Sequence, residues 1–201
     1  MTLSEAGASR LYARHEGGLL SRALGTAVHA LLEDLSRLRA DLDWEAARKA
    51  LKGFEPRIAA GIRAAGVNQA HATEMAEEAL ELALGASLSA EGDWILSPHA
   101  EAENEVRWAG VVAGGLRTVR VDRVFRAGLE PLSEGQEAWW IIDYKSANAG
   151  NLEEAVVELR RLFAPQIEAY GKMLRNLHGP DAILRAGLFY PRMLLLDWWE
   201  F

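Results

Sequence analysis

The apolar residues of this chain change their spacing once, near Gly92, and this change constrains the fold more than any other feature. Before it they recur every three or four residues, which is the period of an amphipathic helix. After it they alternate with polar residues, which is the period of a strand with one buried face. The sequence therefore predicts an α/β domain in which a helical portion precedes a sheet core.

Three helices are expected in the first portion, which covers about residues 1–90. The first follows an apolar stripe over Leu20–Leu38. The second covers Asp43–Ile62, with Asp43 as its cap and a kink or restart at Gly53–Pro56. The third runs over about Ala70–Leu84 and stops at Gly85.

The second portion, about residues 93–201, is expected to contain five strands and one helix. In chain order these are strands at Ala100–Trp108, Val119–Phe125 and Trp139–Lys145, a helix with Pro165 near its first turn that ends at Gly179, and strands at Ile183–Tyr190 and Leu194–Phe201. The connections between the first three strands fall at Gly110–Gly115 and Arg126–Glu137. Residues 1–201 are predicted to form a single domain.

Composition excludes several classes of function. The chain has 201 residues, half apolar and a quarter charged, which is enough for a buried core and argues against disorder. It has no cysteine, so disulfides, thiolate metal sites and a cysteine nucleophile are excluded. A net charge of −7 argues against nucleic-acid binding by bulk electrostatics, although not against a local basic groove. Without a membrane-length apolar run or a signal-like start, a cytoplasmic protein is expected.

The sharpest candidate for chemistry is Asp143-Tyr144-Lys145, at the end of the most apolar predicted strand. Residues two apart on a strand share a face, so the carboxylate of Asp143 and the ammonium of Lys145 are expected to meet. Taken alone, such a triplet fits a plain ion pair at a strand end better than a catalytic site.

Asp122 is the second candidate, because aspartate is disfavoured in mid-strand and an unpaired buried carboxylate is costly. If its strand is the antiparallel neighbour of the next, Asp122 and Asp143 lie close together on one face. Two such carboxylates repel unless a cation lies between them, and hard oxygen ligands suit Mg²⁺ or Mn²⁺. The alternative is that Asp122 pairs with Arg120 or Arg123 on a solvated face.

His29 is the third candidate and lies on the first predicted helix, off its apolar stripe. Gly25, one turn earlier, is expected to leave the neighbouring surface open. A histidine ligand would favour Mn²⁺, and the alternative is a histidine that is solvated or capped by a neighbour.

Five segments then occur in an order that points to one family. They are Gly25–Glu33, Glu105, Val121–Phe125, Ile142–Ser146 and Gln166–Tyr170. Together they resemble the RecB-family nuclease domain, a branch of the PD-(D/E)XK nucleases that stands at the C-terminal end of AddA- and RecB-type helicase-nucleases. The similarity runs from about residue 20 to the C-terminus. It implies a restriction-endonuclease-like core, in which a central mixed β-sheet is flanked by helices, with an N-terminal helical portion.

The resemblance implies a role for each matching residue. The metal ligands would be His29, Asp122, Asp143 and the backbone carbonyl of Tyr144. Lys145 would orient or deprotonate the attacking water and offset charge in the transition state. The full catalytic set would be Asp122, Asp143, Lys145, Glu105, Gln166 and Tyr170, where Gln166 and Tyr170 support the site or touch DNA and Glu101 or Glu103 are alternatives to Glu105.

The sequence departs from the family at two positions. Arg120 stands where a glycine often precedes the strand aspartate, which argues against close approach of DNA at that point. Ser146 replaces the commoner threonine after the lysine, which is a conservative change.

The implied function is hydrolysis of DNA phosphodiester bonds with Mg²⁺ or Mn²⁺, as an exonuclease rather than an endonuclease. The expected partners are single-stranded DNA and an ATP-dependent helicase domain or subunit, in double-strand break repair or recombination. The chain lacks a G-x-x-x-x-G-K-[ST] loop, so it is not expected to be the ATP-driven motor itself, and no nucleotide cofactor is expected. Its short apolar runs predict no membrane partner. The alternatives are an inactive nuclease-fold module for DNA binding or scaffolding, and a small-ligand protein in which these residues form an ion-pair network.

Overall fold

The computed structural model describes residues 18–112, 115–146 and 152–201. In chain order its elements are α1 (Leu19–Asp41), α2 (Trp44–Lys52), α3 (Glu55–Ala64), α4 (Gln69–Ala86), α5 (Ala90–Leu96), β1 (Ala100–Val112), β2 (Gly115–Ala127), β3 (Ala138–Tyr144), α6 (Leu152–His178), β4 (Ile183–Tyr190) and β5 (Leu195–Glu200). The predicted order of helices, three strands, helix and two strands is confirmed. Among the described helices, none combines the length and hydropathy that crossing a membrane requires.

The five strands form one mixed sheet in the order β1-β2-β3-β4-β5. Only β3 and β4 pair in parallel, and α6 is the connection between them. The pairs β1–β2, β2–β3 and β4–β5 are antiparallel, as expected for β2 and β3 if Asp122 and Asp143 are to be neighbours. The central mixed sheet flanked by helices is therefore confirmed.

Strand β3 is central and buried on both faces, which explains its unbroken apolar sequence. Its alternate residues Trp140, Ile142 and Tyr144 join one core with the first five helices. Trp139 and Ile141 join a second core with α6 on the opposite face. The strand end that carries Asp143 to Lys145 is consequently enclosed between α1 and α6.

The helical portion follows the predicted apolar stripe. Val28, Leu31 and Leu35 of α1 have no exposed surface. Asp43 caps α2 by accepting a hydrogen bond of 2.8 Å from the Ala46 N–H, and the helix restarts as α3 with Pro56 in its first turn. These predictions are confirmed.

In the helical portion, one predicted helix end is wrong and one helix was not predicted. Gly85 does not stop α4, which continues to Ala86 because Ala86 is fully buried in the core. The helix ends only when Ser87 follows. The sequence analysis also missed α5, whose N-cap Ser89 accepts a hydrogen bond of 3.0 Å from the Gly92 N–H. This short helix lies where the period changes, so neither pattern predicts it.

Pro165 lies inside α6 rather than in its first turn. The helix begins at Leu152, and Leu159 and Phe163 are buried before the proline as Ile167 is after it. Proline costs one backbone hydrogen bond in a helix interior, but the apolar face on both sides outweighs that loss. The exposed position of Pro165 avoids a clash with the core.

Strands β1 and β2 extend beyond their predicted bounds, whereas β3 ends at Tyr144 rather than Lys145 and β5 covers only Leu195–Glu200. Strand β1 continues to Val112 and β2 begins at Gly115, so the expected turn at Gly110–Gly115 is shorter, and its residues 113 and 114 lie outside the described ranges. The second connection begins at residue 128 rather than Arg126, because Arg126 pairs with Trp139 in the sheet. Long antiparallel pairing between β1 and β2 accounts for the extension of these two strands.

Candidate active site

Asp122 is buried at the point where β2 and β3 stop pairing. Its Oδ2 accepts a hydrogen bond of 2.6 Å from the backbone N–H of Tyr144. Its Oδ1 lies 3.4 Å from Nδ1 of His29 on α1. The alternative of a solvated pair with Arg120 or Arg123 is wrong, because both arginines bind elsewhere.

Asp143 is buried and forms an ion pair with Lys145, whose side chain is 15% exposed, as the period of the strand predicts. The Lys145 ammonium also lies 3.8 Å from the centre of the Phe163 ring of α6, a cation–π contact. The lysine is therefore held between a carboxylate of β3 and an aromatic ring of the neighbouring helix.

These charged side chains act on one another although three elements carry them. Burial raises the pKa of Asp143 to about 6, and the Asp122 carboxylate adds to the rise while Lys145 opposes it. Burial would also raise the pKa of Asp122, but the charge and hydrogen bond of His29 and the Tyr144 N–H together lower it below its usual value. The two aspartates thus have pKa values pushed in opposite directions, a pattern common at catalytic sites.

The surroundings of His29 favour its protonated form more than water does. Burial disfavours its charge, but Asp122, and to a smaller extent Asp143, raise its pKa above the usual value. The ring also packs edge-on against Tyr144, with 5.6 Å between ring centres. Helix α1 therefore places one polar ring beside both strands of the site.

Gly25 brings α1 close to the end of β3. A Cβ atom at this position would lie 2.8 Å from Oγ of Ser146. The expectation that Gly25 leaves the surface open is therefore wrong, since Ser146 fills that space. The glycine is instead needed for close packing of the helix that carries His29 against the residue after Lys145.

Glu105 lies across from Asp122 in the sheet, between the paired positions Asn104–Arg123 and Val106–Val121. It forms an ion pair with Arg120 and has a left-handed backbone φ of 54°. The alternative Glu101 instead forms an ion pair of 3.3 Å with Arg126, near the C-terminal end of β2. Glu103, the remaining alternative, is exposed.

Gln166 and Tyr170 meet on α6, where the amide of Gln166 donates a hydrogen bond to the hydroxyl of Tyr170. Tyr170 is buried in the core between α6 and the sheet. The pair begins three residues after Phe163, which contacts Lys145. This arrangement is consistent with the supporting role that the resemblance implies.

The sequence analysis missed Arg123, a fully buried guanidinium next to Asp122. It donates hydrogen bonds to Ile95 O at 2.5 Å, Ser97 O at 2.8 Å, Asn104 Oδ1 at 2.6 Å and the Ser36 hydroxyl. It thereby joins α1, β1 and the segment after α5 to the strand of Asp122. An arginine between apolar strand residues predicts an exposed side chain, so its burial had no signal in the sequence.

The donor types at this site fit a hard divalent cation, since they comprise two buried carboxylates and one imidazole. Within the described ranges, however, no three His, Asp or Glu side chains already form a metal-binding group. The two oxygens of Asp122 already contact the Tyr144 N–H and the His29 ring, and Lys145 pairs with Oδ2 of Asp143. Binding of an ion would replace some of these contacts.

The mixed sheet between two helical layers, with an aspartate–lysine pair at the end of β3, places the chain in the α/β class. The family profile of the PD-(D/E)XK nuclease superfamily matches residues 7–195, and the chain belongs to that superfamily. Its members are nucleases that typically depend on divalent metal ions. No curated protein matches the chain.

Proposed function

We propose that this chain is a divalent-metal-dependent deoxyribonuclease of the RecB type that degrades single-stranded DNA as an exonuclease. The observation that carries the proposal is the meeting of His29, Asp122 and the Asp143–Lys145 pair at the end of two adjacent strands. Two buried carboxylates beside a lysine and an imidazole are costly to maintain for stability alone. A site that handles a charged substrate gives a reason to keep them.

The residues that would hold Mg²⁺ or Mn²⁺ are His29, Asp122, Asp143 and the backbone carbonyl of Tyr144. When bound, such an ion supplies a stronger water nucleophile and neutralises charge that develops on the phosphate. Lys145 would orient the attacking water as an ammonium, or accept its proton as the neutral amine. Its contacts with Asp143 and the Phe163 ring hold the side-chain nitrogen in place for either role.

Glu105, Gln166 and Tyr170 complete the proposed catalytic set. Glu105 would contribute charge from across the sheet, and the Gln166–Tyr170 pair would support the α6 side of the site or touch DNA. A net charge of −7 is a poor basis for DNA affinity, which supports delivery of the strand by an ATP-dependent helicase domain or subunit. Double-strand break repair or recombination in the cytoplasm is the proposed setting.

A second function is favoured by one observation. Because no three-ligand group is already formed among the described side chains, the same residues suit an inactive nuclease fold that binds DNA or scaffolds a partner. In that case the pairs His29–Asp122 and Asp143–Lys145 are an ion-pair network only.

The decisive experiment measures cleavage of single- and double-stranded DNA with Mg²⁺ or Mn²⁺. We expect D143N and K145M to lose activity by on the order of 100-fold or more. The matched control is K172M, which removes an exposed lysine of α6. Linear strands should be degraded and circular single strands spared if the enzyme is an exonuclease.

Each single variant leaves a buried charge without its partner, so circular dichroism must show that it folds. The double variant D143N/K145M removes both charges and serves if either single variant unfolds. Equal activity in the wild type and these variants refutes the assignment. Absence of cleavage together with absence of metal binding establishes the scaffold alternative.

A further inference from the structure

Arg120 is the most exposed of the cationic side chains that act on Asp122. Its side chain is 59% exposed, compared with 27% for His29 and 15% for Lys145. It lies two residues before Asp122, so the period of the strand directs both to one face. Hydrogen bonding to Glu105 raises the pKa of Arg120, and the charges of Asp122 and Glu33 add to the rise. Arg120 therefore presents a cationic group to solvent on the face of β2 that carries Asp122.

Arg120 has five side-chain N–H donors, and only the one on Nε donates to Glu105. The Glu105 side chain is only 15% exposed, so an enclosed carboxylate anchors an exposed guanidinium. The planar fork of arginine binds phosphate with two parallel hydrogen bonds, which a lysine cannot do. The remaining donors give Arg120 the capacity for a second anion while Glu105 keeps its first.

We propose that Arg120 binds a backbone phosphate of the DNA strand at the mouth of the candidate active site, and that Glu105 positions it there. This inference rests on the proposed nuclease function and deepens it by naming a substrate contact. Because the guanidinium of this pair lies mostly in solvent, the pair adds little to the free energy of unfolding. Stability alone is therefore a weak reason for the pair. Contact with DNA at this point also reverses the expectation that Arg120 argues against close approach.

Arg126 provides a matched comparison on the same strand. It also pairs with a glutamate of β1, Glu101, whose backbone φ of 50° is left-handed like that of Glu105. However, Arg126 lies four residues after Asp122, near the C-terminal end of β2, and its guanidinium also donates to the Gln136 carbonyl. Its side chain is 32% exposed, compared with 59% for Arg120, so R126Q removes a second cation of the same strand that is less available to an anion in solvent.

The test is binding of a fluorescent single-stranded oligonucleotide in EDTA, which prevents turnover, measured by anisotropy at several salt concentrations. We expect R120Q to weaken binding roughly fivefold and R126Q to leave it unchanged. The slope of log K against log salt should fall in magnitude by about 0.7 for R120Q, because one phosphate contact is lost. R120K should retain the salt slope but bind more weakly than the wild type.

Identical affinities and slopes for R120Q and R126Q overturn the inference, and so does weaker binding with an unchanged slope. Lack of measurable binding by the wild type also overturns it. Cleavage with Mg²⁺ is assayed separately, so the two proposals fail independently. A wild type that binds through Arg120 but never cleaves supports this contact and refutes the nuclease. A wild type that cleaves while R120Q matches R126Q refutes the contact alone.

Discussion

The Asp122 side chain reaches from β2 to the backbone of β3, where its Oδ2 accepts a 2.6 Å hydrogen bond from the Tyr144 N–H. The last regular pair of these strands is Arg123–Ile142. The carboxylate therefore continues the pairing of the two strands beyond the point where the backbone ladder ends. As a result, the position of Asp122 depends on the same peptide segment that carries Asp143 and Lys145.

Burial of Asp143 makes stability depend on pH in a defined direction. The pKa of Asp143 in the folded protein, about 6, is above its usual value. Its contribution to the free energy of unfolding is therefore complete below the pKa of the unfolded chain and is lost as the pH rises through about 6. D143N cannot ionise and avoids this loss. From about pH 4 to pH 7, the free energy of unfolding of metal-free D143N should therefore rise relative to that of the wild type by on the order of 3 kcal/mol.

Urea denaturation in EDTA at a series of pH values measures this difference. Titrations of groups remote from position 143 cancel in the comparison, so the remaining pH dependence reports on Asp143 and on the neighbouring charges that it shifts. A difference that stays constant across the range contradicts the raised pKa of Asp143.

Metal addition should stabilise the wild type if the site binds an ion. At a metal concentration about 100 times the dissociation constant, the free energy of unfolding rises by about 2.7 kcal/mol. D122N and H29A should lose most of this gain in a thermal melt, and EDTA should abolish it in the wild type. D181N, which alters an exposed carboxylate, is the control and should keep the full gain. An equal gain in D122N and D181N would place the metal elsewhere.

The close contact between Gly25 and Ser146 predicts that two glycine substitutions differ in their effect on stability. G61A adds a Cβ with nothing within 4 Å, so helix propensity should raise the free energy of unfolding by about 1 kcal/mol. G25A should not show this gain, because its Cβ would lie 2.8 Å from Ser146 Oγ. In an S146A background G25A should recover it, as chemical denaturation would reveal. Equal gains for both single variants refute the contact.

Pro165 predicts a stabilising substitution in the middle of α6. P165A restores a backbone donor in a helix interior and should raise the free energy of unfolding by about 1–3 kcal/mol. P56A is the control, because proline is well tolerated in the first turn of α3 and its removal should give no gain. Thermal and urea melts measure both variants, and a P165A protein no more stable than P56A contradicts the helix.

Elements with long periodic patterns could be predicted from the sequence. The apolar stripe of α1 requires one buried face, and the unbroken apolar run of β3 requires two. Both patterns predicted the right element. The beginning of α6 could not be predicted, because proline is read as a helix start and tertiary packing overrides that local preference. Helix α5 has only seven residues, which is too short for a period to show.

The candidate site was predicted in part for the same reason. Strand spacing predicts the Asp143–Lys145 pair, and the antiparallel neighbours predict Asp122 beside it. Sequence spacing carries no information on which side chain fills the space beside a glycine, so Ser146 at Gly25 was missed. It also does not report hydrogen bonds between distant elements, and the burial of Arg123 depends entirely on such bonds.

The hydrogen bond from Arg123 to Ser36 has an evolutionary consequence. Ser36 stands two turns after His29 on the same helix, whereas Arg123 is the chain neighbour of Asp122. Arg123 also donates to Ile95 O, Ser97 O and Asn104 Oδ1, so a change at Ser36 removes one of its four acceptors. A change at Arg123 instead leaves several buried oxygens without this donor, at a cost of about 1–3 kcal/mol or more. Descendants of this chain should therefore keep residue 123 more strictly than residue 36, while the outward side of the same helix drifts without penalty.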